Sequence, residues 1–322
     1  MPNKKQSFEE FYKELKPSIK ECYHKDEYCS SKIIKAHSIQ NNRILNKISK
    51  DGIVIGMQPT FNSSNFKIGA KNIGRKKAST FTGFCDYHDN KIFKPIEEND
   101  YQPGNREQEF VFAYRAASCG YWHKKFNLEL TRNGIDKIAK NMSSPPEPIH
   151  SLQLGIDEGY KLVSELRVFF NVCLGKNNYW KIKTYVVVFN EEYPLAASSA
   201  ITPTHDFLGN RVNYIERVKP NVFPLMVNVF PQNGKTYVLL GYKHRDSGKY
   251  DYIREQLAGK PEKELKELVS NLILVNIENF YLSPDLWDKY GAEKQGEITK
   301  YFSETIYKDP HKIYDKKIQL FV

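Results

Sequence analysis

Cys85-Asp86-Tyr87-His88-Asp89-Asn90 is the stretch on which the reading of this chain turns, because it offers a thiol and an imidazole three residues apart. Upstream lie two more thiols, Cys22 and Cys29, and a histidine, His37, that closes a short β-branched run. A structural zinc ion takes four tetrahedral sulfur or nitrogen ligands, usually brought as two close pairs, each from one turn. Cys22 with Cys29 makes the first pair and Cys85 with His88 the second. The six residues between Cys22 and Cys29 exceed the usual spacing of about two to four, so the first pair calls for a longer loop. Alternatives stay open: the thiols are simply buried, His24 replaces one of the first pair, or His88 serves a second ion and leaves zinc with three cysteines and a water.

Ser31-Lys32-Ile33-Ile34-Lys35-Ala36-His37 reads as a strand that ends at the histidine. A helix through Ile44, Leu45 and Ile48 follows, ended by Gly52, and then a strand at Ile53-Val54-Ile55. The Asn/Ser/Gly/Lys-rich run 62–77 reads as a loop or an irregular insertion. Strand character returns at 78–84 and delivers Cys85 at a turn, after which Ile92, Phe93 and Ile96 predict a helical turn or two checked by Pro95. Before all of this, Ser7 and Glu10 cap a helix that carries Phe8, Phe11, Tyr12 and Leu15 and stops near Pro17.

The order of cysteine pair, strand ending in histidine, loop, strand, Cys-x2-His and helix resembles the HNH, or ββα-metal, nuclease superfamily, in the variety where a treble-clef-like zinc clamp holds the finger. The resemblance covers about residues 20 to 100. More narrowly, Lys35-Ala36-His37-Ser38-Ile39-Gln40 with Ser79-Thr80-Phe81-Thr82-Gly83-Phe84-Cys85 and His88-Asp89 is similar to a bacterial family with that signature. The resemblance implies a metal-dependent endonuclease acting on DNA, less readily RNA, in bacterial defence against foreign DNA. It makes His37 the general base, and it puts Asp89, with Asn90 as a second candidate, on a catalytic magnesium or manganese ion beside the structural zinc. Two positions depart from the superfamily. The residue before the base, often a metal-binding aspartate or histidine, is Ala36, and the asparagine that orients the base has several candidates: Asn41, Asn42, Asn65 and Asn72. A zinc-stabilised module that binds nucleic acid or protein without cutting is therefore the second reading.

A long helical block runs from Glu107 to about Met142, interrupted near Gly134, and ends in the proline cluster 143–148, which marks a boundary. Residues 1–144 thus form an HNH-like finger with a helical block, and 145–322 a mixed sheet-and-helix domain, an α+β protein throughout. In the second part, Leu162, Leu166, Phe169, Phe170 and Cys173 fit a buried helix, and 179–189 a buried strand. Leu225 to Phe230 and Thr236 to Tyr242 flank Pro231-Gln232-Asn233-Gly234, a hairpin signal. Helices at 262–275 and 284–290 close the chain. This second part is assigned to recognition, regulation, a protein partner or homo-oligomer contacts.

The chain has 322 residues, 40% hydrophobic and 27% charged, with a formal charge of +10; its mean hydropathy is −0.60 and its pI about 9.1. That balance fits a folded chain with an anionic partner such as nucleic acid. Arg75, Lys76 and Lys77, just before the second finger strand, are placed to grip phosphates. Tyr121-Trp122-His123-Lys124-Lys125 mixes aromatic and basic residues as a stacking surface does, or as core does in a helix. Nothing near the start reads as a signal peptide and no apolar run reaches the roughly 18 residues of a membrane span, so a cytoplasmic location without membrane attachment is expected. In that compartment five cysteines are read as metal ligands or core rather than disulfides. Ser198, Ser199, His205 and Asp206 lack the elbow of a serine hydrolase, and no glycine-rich phosphate loop is present.

Overall fold

Neighbouring residues of a strand face opposite ways, and that period organises the centre of this molecule. Val54, Ala196, Met226 and Leu239 belong to one apolar cluster, whereas Ile55, Ala197, Val227 and Leu240 belong to another. The computed structural model describes residues 8–61, 66–139, 147–214, 222–305 and 318–322. In chain order the elements are α1 (Phe8–Leu15), β1 (Ile33–His37), α2 (Asn46–Ile48), β2 (Ile53–Phe61), β3 (Phe66–Gly74), β4 (Thr80–Cys85), α3 (Asp86–Glu97), α4 (Arg106–Ala139) and α5 (Glu147–Gly175). Then come β5 (Ile182–Phe189), β6 (Leu195–Ile201), β7 (Leu225–Gln232), β8 (Lys235–Lys243), α6 (Ser247–Leu257), α7 (Glu262–Asn276), β9 (Phe280–Leu282) and α8 (Pro284–Thr305). The protein is mixed α+β.

Seven strands form one antiparallel sheet in the order β3-β2-β9-β6-β7-β8-β5. One face packs against α4 and α5, and the other against α6, α7 and α8. With both faces covered, β7 and β8 are buried along nearly their whole length, which is why their sequences read as continuous apolar runs. Their turn is the expected Asn233-Gly234, with φ of 51° and 78°, the mirror-image conformation that matches strand twist. The sheet draws β2 and β3 from before residue 144 and the remaining strands from after it.

Several elements differ from the sequence expectation. The run 62–77, expected as a loop, contains strand β3, while 62–65 lie outside the described residues. As an edge strand, paired on one side only, β3 keeps the lysine, asparagine and glycine content that protects edges from further pairing. β6 is Leu195-Ala196-Ala197-Ser198-Ser199-Ala200-Ile201. Its small side chains admit α4 so closely that a Cβ on Gly120 would lie 3.1 Å from that of Ala200. α4 itself continues unbroken past Gly134. The Ser7 cap and most of the proline cluster, 143–146, lie outside the described residues.

Beside the large sheet stands a two-stranded ribbon, β1 with β4, continued directly into α3. Its register shifts between Ile34 and Ala36, so Thr82 and Gly83 together oppose Lys35. A Cβ at Gly83 would meet the Phe81 ring at 2.3 Å, and glycine is the residue such a bulge admits. The bulged carbonyls are then used: Glu21 and Tyr23 donate their backbone N–H groups to Thr82 O at 3.3 Å and Gly83 O at 2.7 Å. The chain around Cys22 is thereby laid along β4.

Candidate metal centre and the adjoining histidine

Cys85 is the residue that caps α3, in extended conformation with φ −80° and ψ 160°, so its sulfur sits over the helix N-terminus and His88 lies within the first turn. The backbone bonds of Glu21 and Tyr23 bring Cys22 beside them. Cys29 arrives from a turn in which Asp26 accepts the Tyr28 N–H through its side chain at 2.9 Å and the Cys29 N–H through its carbonyl at 3.4 Å. Cys22, Cys29, Cys85 and His88 lie close together, their donor atoms all within 4.8 Å of one another, and can hold a metal ion. His88 Nδ1 is 3.4 Å from Cys22 Sγ, 3.5 Å from Cys29 Sγ and 3.2 Å from Cys85 Sγ, and the sulfurs of Cys22 and Cys85 are 3.8 Å apart.

The other ring nitrogen of His88 is also engaged. Its Nε2 lies 3.1 Å from Asp26 Oδ1, a carboxylate behind a ligand histidine, which fixes the ring and its tautomer. The long gap between Cys22 and Cys29 is the loop that carries this aspartate. Asp26 also meets His24 at 3.5 Å, and His24 Nδ1 is 3.1 Å from Asn171 Oδ1 on α5. His24, Asp26 and His88 form a second close group on the far side of His88 from the sulfurs. α5 grips the same loop: Arg167 donates to the carbonyls of Tyr23 and Cys22 at 2.7 and 2.8 Å, and Asn171 Nδ2 to Tyr23 O at 2.9 Å.

Burial pushes the Cys22 thiol up to about 12, with the nearby Cys85 and Cys29 thiols adding to it. At Cys85 burial acts the same way, yet the bonds from the backbone of His88 and from Ser30 outweigh it and hold the thiol below its ordinary value. Burial also lowers His88, against the opposing charge of Asp26, which favours the neutral imidazole that ligates metals.

His37 ends β1 directly opposite Thr80 of β4. It is half-buried, and its Nδ1 is 3.4 Å from Ser79 Oγ. Burial lowers its pKa, the charges of Arg115 and Arg75 act in the same direction, and Glu97 and a bond to the Ala78 backbone oppose them. Asp89, one residue past His88, is pushed up to about 6 by burial; Arg115 pulls it down, and Glu97 and Asp86 push it up. His37 and Asp89 therefore share two charged neighbours, Glu97 and Arg115, which pair with each other at 2.5 Å. Arg115 is only 3% exposed, lies over the Phe93 ring, and its Nε is one of the few buried polar atoms among the described residues without a partner.

The remaining candidates divide. Asn90 is exposed and turns its amide back to the Asp86 carbonyl at 2.8 Å. Arg75 reaches the Asn41 carbonyl at 3.0 Å and feels His37, whereas Lys76 and Lys77 are exposed on the turn before β4. Asn41 has a buried, unpartnered Oδ1; Asn42 and Asn72 are exposed, and Asn65 lies outside the described residues. The sequence reading missed Asp26, Glu97 and Arg115. Of these only Arg115 had a signal, a single charge within the otherwise uncharged helical stretch Phe110 to Tyr121.

No family model, curated protein or solved structure matches this chain. Among the described residues no helix is long and apolar enough to cross a membrane.

Proposed function

We propose that Cys22, Cys29, Cys85 and His88 hold a structural zinc ion, and that the β1–β4–α3 unit it stabilises is an HNH-like nuclease finger with His37 as its base. The observation that carries the zinc reading is the set of distances between donors. Tetrahedral zinc with bonds of about 2.3 Å to sulfur and about 2.0 Å to nitrogen has edges of about 3.8 Å between sulfurs and about 3.5 Å between sulfur and nitrogen. The Cys22–Cys85 sulfur separation of 3.8 Å and the three sulfur–nitrogen separations of 3.2–3.5 Å lie near those edges, the Cys29 sulfur is within 4.8 Å of the other donors, and three thiols with one imidazole suit zinc rather than a hard cation.

For catalysis, His37 accepts a proton from water, which its depressed pKa leaves it free to do near neutrality. A bond from one ring N–H to the Ala78 carbonyl would leave the other nitrogen as the acceptor. Hydrolysis adds the hydroxyl to phosphorus and returns a proton to the departing sugar oxygen. A magnesium or manganese ion at Asp89 would supply charge stabilisation for the phosphate. The charge of Arg75 is felt at His37, and the +10 charge favours a polyanionic substrate, DNA ahead of RNA.

The second reading, a zinc-held module that binds without cutting, draws on Ala36, which is buried and can ligate nothing, and on Asn90, whose amide is engaged by the Asp86 carbonyl. Supercoiled plasmid, single-stranded DNA and RNA are incubated with the protein and with a His37→Ala variant in magnesium or manganese, alongside elemental analysis. Cleavage lost in the variant with zinc retained is the expected result. Retained zinc and DNA binding without cleavage in either metal selects the binding module.

A further inference from the structure

Immediately after His37 the ribbon is clasped to the large sheet by hydrogen bonds that the finger itself does not supply. Ser38 donates both its N–H, at 2.9 Å, and its hydroxyl, at 3.1 Å, to the Ser79 carbonyl. Ser79, whose Oγ is beside His37 Nδ1, holds a φ of +58°, a conformation that costs a non-glycine residue free energy and persists only where its surroundings impose it. Those surroundings come from β9 and the residue before it. The Ser79 N–H donates to the Tyr281 hydroxyl at 2.8 Å, and Asn279 Nδ2 donates to Ser38 Oγ at 2.9 Å and to the Ser198 carbonyl at 2.7 Å. The Asn279 carbonyl in turn accepts the Ser198 N–H at 3.1 Å.

The strand that carries Tyr281 is held from both sides. Tyr281 pairs with Gly56 on one side and Ala196 on the other. A Cβ at Gly56 would approach its ring to 3.1 Å, so the missing side chain on β2 makes the space in which the ring lies. β9 is thus the strand that joins the β2–β3 hairpin to β6, and it also reaches across to the ribbon.

We infer that Tyr281 and Asn279 are positioning residues for His37, acting through Ser79 and Ser38, so that the large sheet sets the orientation of the histidine in the finger. This rests on the reading of His37 as base for its kinetic consequence, though not for its structural one. Catalytic groups displaced by a fraction of an ångström lose rate while substrate binding persists.

Tyr281→Phe keeps the ring and deletes the hydroxyl; Asn279→Ala is the independent second variant. Each is expected to lower kcat about tenfold with KM for DNA and zinc content unchanged, and to move the imidazole nitrogen resonances of His37 in histidine-labelled protein, assigned with His37→Ala. Unmoved His37 resonances in folded, zinc-loaded variants, or an unchanged kcat in an active enzyme, overturn the inference. If the unsubstituted protein cuts nothing while the variants still move the His37 resonances, the positioning role stands and the nuclease reading falls.

Discussion

Asp26 does more for the metal centre than its place in a loop indicates: it fixes the turn that presents Cys29 and holds the Nε2 of His88. Carboxylates behind ligand histidines are worth about 10–100-fold in metal affinity, so Asp26→Ala is expected to weaken zinc binding by that factor in a chelator competition while leaving the stoichiometry at saturation intact. An unchanged affinity would remove Asp26 from the centre. His37 gives a pH prediction. Burial, Arg115 and Arg75 lower its pKa, so if the protein is the proposed nuclease the acid limb of its cleavage should lie below the ordinary 6.5 of histidine. Arg75→Gln, which removes a charge that disfavours protonation, should move that limb upward. Linkage has the same sign: between the folded pKa and 6.5 the unfolded chain binds more protons, so this group's contribution to stability rises with pH across that window and is lost below it. The clustering of the three thiols with His88 was legible because metal ligation restricts residue type and spacing together. Asp26 and Glu97 were not, because a single carboxylate in a polar segment is the ordinary condition of a surface.

At the scale of elements, the ribbon depends on its bulge. Gly83→Ala would set a Cβ within 2.3 Å of a buried Phe81 ring, and overpacking of this kind costs about 1–3 kcal/mol. A denaturant titration should record that loss, and a neutral result would mean that Phe81 has room the packing does not show. The same local chemistry explains which elements the sequence revealed. The β7–β8 hairpin announced itself through Asn233-Gly234 and two apolar runs, because a strand buried on both faces has no polar alternation to obscure it. β6 was hidden because close approach of α4 at Gly120 demands alanine and serine where a strand would ordinarily show branched side chains. β3 was hidden because an edge strand carries the polar content of a loop, and the three-residue β9 is too short for any period to register.

At the scale of the whole molecule, Cys22, Cys85, α4, α5 and one face of the large sheet share a single apolar cluster. If the four side chains hold the proposed zinc, its removal should therefore be felt beyond the ribbon and is expected to lower the temperature of one cooperative transition rather than melt the ribbon separately. Calorimetry with and without chelator distinguishes the two. That shared cluster also makes β9 and the ribbon parts of one packed body, the premise on which control of His37 by Tyr281 and Asn279 depends. The nuclease reading of His37 assumes that the four clustered side chains are ligands, so the most direct measurement is X-ray absorption at the zinc edge, with elemental analysis, on purified protein. One zinc per chain, with three sulfurs at about 2.3 Å and one nitrogen at about 2.0 Å, is the expected result. A chain that retains no zinc, or one whose metal shows no sulfur neighbours, would contradict the account.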